Sequence, residues 1–162
     1  MTQTWIFPLI GVGATAAMDV WSLVRRRLFH TPLPNYALVG RWLGRMVHGE
    51  FRHRAIAQAK PVRGELAIGW LAHYLIGMAF ASLIVVFQGI GWAEHPTWST
   101  ALLVGLGTVV FPLFVMQPAM GAGIAASRTP RPRAARLQSL INHAFFGLGL
   151  YLSAQVLGNW MR

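Results

Sequence analysis

Two apolar stretches of the sequence carry hydrogen-bonding side chains. The stretch "RLQSLINHAFFGLGLY" contains Asn142 and His143, and "GELAIGWLAHYLIGMAF" contains Glu65 and His73. Imidazole changes its charge near neutral pH and is the commonest metal ligand, so these histidines could relay protons or hold a metal or haem. The same side chains could also simply join helices by hydrogen bonds.

The elements that must position these side chains are membrane-spanning helices. The chain has 162 residues, of which 55% are hydrophobic and 11% charged, with a mean hydropathy of +0.48. Soluble domains carry about a quarter charged residues, and a span needs about 20 apolar ones. We predict an all-α membrane protein, a four-transmembrane-helix bundle that forms a single domain over residues 1–162. The four spans are placed at about residues 5–24, 64–87, 97–117 and 137–160.

The charges predict how the chain is threaded. Thirteen of the fourteen Lys and Arg residues fall before the second span or between the third and fourth. Because cytoplasmic loops retain Lys and Arg, we expect these basic segments on the cytoplasmic side of the membrane and both termini on the opposite side. Four tryptophans mark the outer ends of the spans, namely Trp5, Trp92, Trp98 and Trp160. The net charge of +10 then indicates contact with anionic inner-leaflet lipids, not with nucleic acid.

The first long connection predicts a cytoplasmic-side amphipathic helix at about residues 36–54. Its apolar residues recur at helical spacing, and a basic face follows at steps of four, three and four: Arg41, Arg45, His48 and Arg52. This interfacial helix could rest on lipid, or act as a gate or docking element. In the third span, Pro112 predicts a kink, and the glycines after Pro118 indicate that the chain turns there.

Polar residues of all four spans fall at similar depth in the cytoplasmic half of the bilayer, as counted by helical rise. They are Asp19, Glu65, His73, Gln117, Asn142 and His143. We predict that these six form one polar intramembrane cluster facing the interior of the bundle, since a carboxylate in lipid costs at least about 2.5–3.5 kcal/mol.

Three functions remain open for this cluster. It could form a substrate or proton path in a small transport-like or accessory protein, which with only four spans would act as a homo-oligomer or as a subunit of a larger complex. It could be purely structural. It could hold a metal or haem through His73 and His143, although no cofactor is the favoured expectation. The chain has no cysteine and no serine in a nucleophile-elbow pattern, so the sequence favours a non-enzymatic role.

The motifs together resemble a known family. "GATAAMDVW", "GRW", "GELAIGWLAHYLIG", "MQPAMGAGIAASRTP" and "SLINHAFFGLGLY" are similar to the bacterial membrane family called domain of unknown function 2938. The resemblance spans nearly the whole chain and implies an integral membrane protein of bacteria. Together with the charge pattern, it implies the inner membrane and periplasmic termini. It implies no activity, and it assigns no catalytic or ligand residues.

Overall fold

The computed structural model describes residues 5–160, and every regular element in that range is helical. Four helices are long and apolar enough to cross a membrane: Ile6–Phe29, Glu65–Gln88, Trp98–Met120 and Pro132–Trp160. The predicted all-α fold with four spans is therefore confirmed. The regular helices are α1 (Ile6–Phe29), α2 (Tyr36–Met46), α3 (Glu65–Gln88), α4 (Trp98–Gly107), α5 (Gln117–Met120) and α6 (Pro132–Trp160).

The third span is irregular around its proline. Regular α-helix ends at Gly107, and a π-helical turn covers Pro112–Met116. Proline has no backbone N–H to donate, and the wider turn closes with the N–H of Gln117 bonded to the carbonyl of Pro112. The span ends at Met120, where Gly121 takes a left-handed backbone with φ 98°. The predicted turn after Pro118 is thus present.

The chain divides into two compact units, and the boundaries fall inside three of the spans. The first unit holds the described residues of 1–33, 74–108 and 141–162, and the second holds residues 34–73 and 109–140. The assignment of one domain to residues 1–162 stays a prediction.

The core of the first unit draws on all four spans. Phe7, Ile84, Ala101 and Phe146 are buried in it. Small residues let the helix backbones touch, since a Cβ added to Gly105 would lie 2.5 Å from the Cα of Gly147. Such contacts are typical of membrane bundles, in which helices gain no hydrophobic energy by leaving lipid.

The second unit packs α2 on the beginning of α3. The helices meet at Gly40 and Gly69, where an added methyl group would overlap backbone carbonyl oxygens of the facing helix. The predicted extension of this helix to residue 54 is wrong, because α2 ends at Met46. A turn follows, in which Gly49 has φ 79° and donates its N–H to the carbonyl of Met46. Arg52 therefore does not lie on α2.

Candidate functional site

Glu65, the first residue of α3, receives a two-point contact from Arg41 of α2. The Nε and Nη2 groups of Arg41 donate to Oε2 and Oε1 of Glu65 at 2.8 and 2.7 Å, and the backbone N–H of Val62 donates at 3.0 Å. The Nη1 group of Arg41 also reaches the carbonyls of Ala57 and Ala59, at 3.1 Å each. The hydrogen bond to Glu65 raises the pKa of Arg41. The carboxylate of Glu65 therefore joins the beginning of α3 to α2 and to the connection between them.

His73 lies in the second unit against an aromatic pair. Its Nε2 is 2.9 Å from the hydroxyl of Tyr36, and the two rings stack with centroids 4.3 Å apart. Trp70 meets the edge of this pair, with its ring centroid 5.9 Å from that of His73. His73 thus joins α2 to α3, as Arg41 and Glu65 do.

Gln117 belongs to the same unit and has a buried Oε1 with no hydrogen-bond partner among the described residues.

Asp19 belongs to the first unit and accepts a hydrogen bond from a tyrosine of another span. The hydroxyl of Tyr74 on α3 donates to Oδ2 of Asp19 on α1, at 3.1 Å. This contact is consistent with the prediction that the carboxylate of Asp19 has a partner inside the protein. The hydrogen bond joins α1 to α3.

His143 of α6 contacts the end of α4 in the first unit. Its Nδ1 is 2.9 Å from Oγ1 of Thr108, and that hydroxyl donates to the carbonyl of Gly105 at 2.6 Å. A hydroxyl has one proton, so Nδ1–H of His143 is the donor in this arrangement. The neighbouring Asn142 has a buried Oδ1 with no hydrogen-bond partner in residues 5–160.

The six predicted residues are divided between the two units. Asp19, Asn142 and His143 belong to the first, and Glu65, His73 and Gln117 belong to the second. Their assembly into one cluster stays a prediction. Across residues 5–160, no group of three or more His, Cys, Asp or Glu side chains could hold a metal ion.

A basic cavity of 520 Å³ lies in the second unit. It is lined by Arg52, His53, Arg54, Pro118, Gly123, Ile124, Ser127 and Arg128. No acidic residue lines it, and none of its three guanidinium groups makes a hydrogen bond or ion pair with another described residue. Three cations at one opening attract an anion, because none of them forms an ion pair with a described carboxylate.

The cavity is built by two segments that are tied together. The backbone N–H of His53 donates to the carbonyl of Ala119 at 2.8 Å, and the N–H of Arg128 donates to the carbonyl of Ala122, also at 2.8 Å. At Gly121 an added methyl group would overlap the carbonyl of Arg54. These contacts hold basic side chains from residues 52–54 and from residue 128 around one space.

Sequence reasoning missed this cavity because it assigned the arginines to the orientation of the chain, to one face of the amphipathic helix and to contact with lipid headgroups. The signal that could have indicated the cavity is that one segment is rich in arginine, whereas the segment after Pro118 is rich in small residues. A chain that turns tightly there leaves room for side chains of the other basic segment. The partners of the polar span residues were missed for a different reason, since the sequence does not show which tyrosine of another helix lies opposite Asp19 or His73.

Comparisons with known proteins give a family and no activity. A family model described as "Protein of unknown function (DUF2938)" matches residues 8–157. No curated protein and no solved structure matches the chain. The match covers well over half of the 162 residues.

Proposed function

Since the chain belongs to the family described as Protein of unknown function (DUF2938), whose description assigns no activity, we propose a function from the residues themselves. We propose that this is a small accessory or transport-like protein of the bacterial inner membrane, which binds an anionic molecule on its arginine-rich side. The observation that carries this proposal is the basic cavity formed by residues 52–54 and 128.

The placement in the membrane is supported by charge. Thirteen of fourteen Lys and Arg residues lie on the segments assigned to the cytoplasm, and both termini are then periplasmic. The exposed apolar side chains of the four spans face acyl chains or a neighbouring subunit. With only four spans, we expect a homo-oligomer or a place in a larger membrane complex.

Cysteine labelling tests the threading. The chain contains no cysteine, so single cysteines can be introduced without removing any native one. Arg63→Cys and Glu94→Cys lie in connections assigned to opposite sides, and both residues are exposed. In intact cells with a permeable outer membrane, a membrane-impermeant maleimide should label Glu94→Cys only. Labelling of Arg63→Cys alone would reverse the proposed orientation.

The chemistry of the cavity selects phosphate or carboxylate groups. Arginine presents a planar set of N–H donors that matches both groups, and the volume lies within the range of about 300–1,000 Å³ usual for small-molecule sites. Such a group could belong to a phospholipid headgroup of the inner leaflet or to a dissolved anionic molecule. The position beside a membrane surface makes both accessible.

A charge-matched pair of variants tests the cavity. The triple variant Arg52→Gln, Arg54→Gln, Arg128→Gln removes its three cations. The control Arg26→Gln, Arg27→Gln, Arg63→Gln removes three exposed arginines outside it. Purified in detergent, both have the same net charge, so a difference between them reflects position and not total charge. Binding is measured by microscale thermophoresis in detergent, with inorganic phosphate and with short-chain phosphatidylglycerol or phosphatidylcholine.

The cavity variant should lose most of the binding that the control keeps, because each charge-assisted hydrogen bond contributes about 1.5–3 kcal/mol. If the cavity variant loses binding of inorganic phosphate, the ligand is a dissolved anion. If it loses binding of phosphatidylglycerol alone, the ligand is a lipid. Equal binding by the two variants would contradict the proposal. Metal analysis and an absorbance spectrum of the same preparations test the competing assignment of a metal or haem to His73 and His143.

For the polar residues of the spans, we propose a structural contribution to this function. The Tyr74–Asp19 and His143–Thr108 contacts each join two spans of the first unit, and the Tyr36–His73 contact joins α2 to α3. Bonds of this kind average about 0.6 kcal/mol in membranes, so several together define the register of helices whose apolar faces would otherwise slide. A substrate or proton path through these residues instead predicts full folded yield with lost function in Asp19→Asn and His143→Gln.

A further inference from the structure

Arg25 is buried although it carries a charge. Its side chain belongs to the first unit and is only 7% exposed, whereas its neighbours Arg26 and Arg27 are exposed. Arginine stays protonated in proteins, so burial without a partner is costly. The Nε and Nη2 groups of Arg25 are both buried and have no hydrogen-bond partner among the described residues.

Two further donors on the same face of α1 are also buried and have no partner within residues 5–160. They are Nε1 of Trp21 and Oγ of Ser22, which is 3% exposed. At about 100° per residue, Trp21, Ser22 and Arg25 fall within an arc of about 100°. Ala14 lies on this face too and is fully buried. Arg25 therefore occupies a position where α1 otherwise packs against protein.

Helix α6 holds this face in place. The indole of Trp21 stacks on the ring of Phe145, with centroids 4.0 Å apart and planes 6° from parallel. Asn142 precedes Phe145 by three residues and so lies on the same face of α6. Its buried Oδ1 also has no partner within residues 5–160. Rotation of the Asn142 amide would present an NH₂ donor on this side.

These groups of α1 are donors, and none of them has an acceptor among the described residues. We propose that Trp21, Ser22 and Arg25 bind a phosphate group in the first unit, with Asn142 completing the site. Arg25 lies four residues before the end of α1 at Phe29, about 6 Å along the helix. In the threading proposed above, this is the cytoplasmic end of the span, where lipid phosphates are expected. The phosphate belongs to a phospholipid or is a free ion. The site shares no residue with the basic cavity of the second unit.

Retained phosphorus tests the site directly. Wild-type protein, Arg25→Gln and the exposed control Arg26→Gln are purified in a phosphate-free detergent buffer, and phosphorus per chain is measured after denaturation. Lipid extraction separates phospholipid from inorganic phosphate. We expect wild type and Arg26→Gln to retain about one equivalent more than Arg25→Gln. Equal retention by all three proteins would overturn the proposal, and so would the absence of retained phosphorus in wild type together with no response in the titration below.

A titration tests the site also where the ligand binds too weakly to be retained, and a second variant tests it where Arg25→Gln does not fold. Thermal unfolding of delipidated protein is followed while phosphatidylglycerol in detergent, or inorganic phosphate, is added. The midpoint should rise with one of these ligands in wild type and Arg26→Gln. In Arg25→Gln the apparent affinity should fall about tenfold or more, since a charged donor is lost. If Arg25→Gln does not fold, Ser22→Ala removes one donor with little change of volume, and an unchanged affinity in that variant contradicts the site. The triple variant of the basic cavity should respond as wild type does, so failure of one proposal leaves the other testable.

Discussion

Arg41 and Glu65 form a two-point ion pair across 24 positions of sequence, with N–O distances of 2.8 and 2.7 Å. Their side chains are only 13% and 18% exposed. The same guanidinium reaches the backbone carbonyls of Ala57 and Ala59. Arg41 thus links α2 to the connection that follows it and to the beginning of α3.

Arg41→Lys should destabilise the second unit although it keeps the charge. An ammonium group cannot reproduce two parallel N–H donors to the carboxylate together with bonds to two carbonyls. Thermal unfolding in detergent should show a lower midpoint for Arg41→Lys and for Glu65→Gln, and a double variant close to the worse single one. If the two effects simply add, the pair does not act as a unit.

Close packing of α2 on α3 predicts that Gly40→Ala and Gly69→Ala are damaging. Each added methyl group would overlap a backbone carbonyl of the facing helix, which cannot move as a side chain can. Overpacking typically costs about 1–3 kcal/mol, so the unfolding midpoint should fall clearly.

Gly107→Ala is the matched control for these variants. It lies in α4, and a Cβ there would meet nothing within 4 Å. Helix propensity alone then favours alanine by up to about 1 kcal/mol. A midpoint for Gly40→Ala equal to that of Gly107→Ala would show that α2 and α3 do not touch as described.

The sequence was sufficient for the spans because their signal is long and local. A stretch of about twenty predominantly apolar residues leaves few alternatives, and the structure has a helix long and apolar enough to cross a membrane at each predicted place. The end of α2 was harder to predict. Basic residues keep helical spacing as far as Arg52, yet Gly49 takes a positive φ and α2 stops at Met46. The spacing of the basic residues favours a longer helix and Gly49 favours a turn, and periodicity alone does not show which of the two prevails.

Partners of polar groups could not be predicted, since they depend on how helices face each other. Asp19 was expected to face protein, but nothing local to either span indicates Tyr74 as its donor. Arg25 shows the opposite case. The positive-inside rule accounts for an arginine at that position, and it gives no reason to expect that this one, unlike Arg26, is buried.

The contact between His143 and Thr108 predicts a small and specific loss in Thr108→Val. Valine matches threonine in shape, so the main change is removal of the hydroxyl that Nδ1 contacts at 2.9 Å. The average membrane hydrogen bond is worth about 0.6 kcal/mol and the strongest about 1.7. Unfolding in detergent should register a loss within that range, and His143→Gln should make the further change Thr108→Val nearly neutral. A full effect of Thr108→Val in both backgrounds would mean that the hydroxyl acts through Gly105 alone.

Acid should remove one contribution to the stability of the turn after α2. Glu50 pairs with Arg45, and the hydrogen bond from that guanidinium lowers the pKa of the Glu50 carboxyl in the folded protein. A lowered folded pKa means that the stabilisation is complete above the unfolded value, about 4.3, and is lost as pH falls through the folded value. The midpoint of wild type should therefore exceed that of Glu50→Gln at about pH 5 and above. This difference should shrink below about pH 4, and Arg45→Gln should remove most of it, because Arg45 is the main cause of the lowered pKa. A difference that stays constant down to pH 3 would mean that Glu50 contributes through packing and not through its charge.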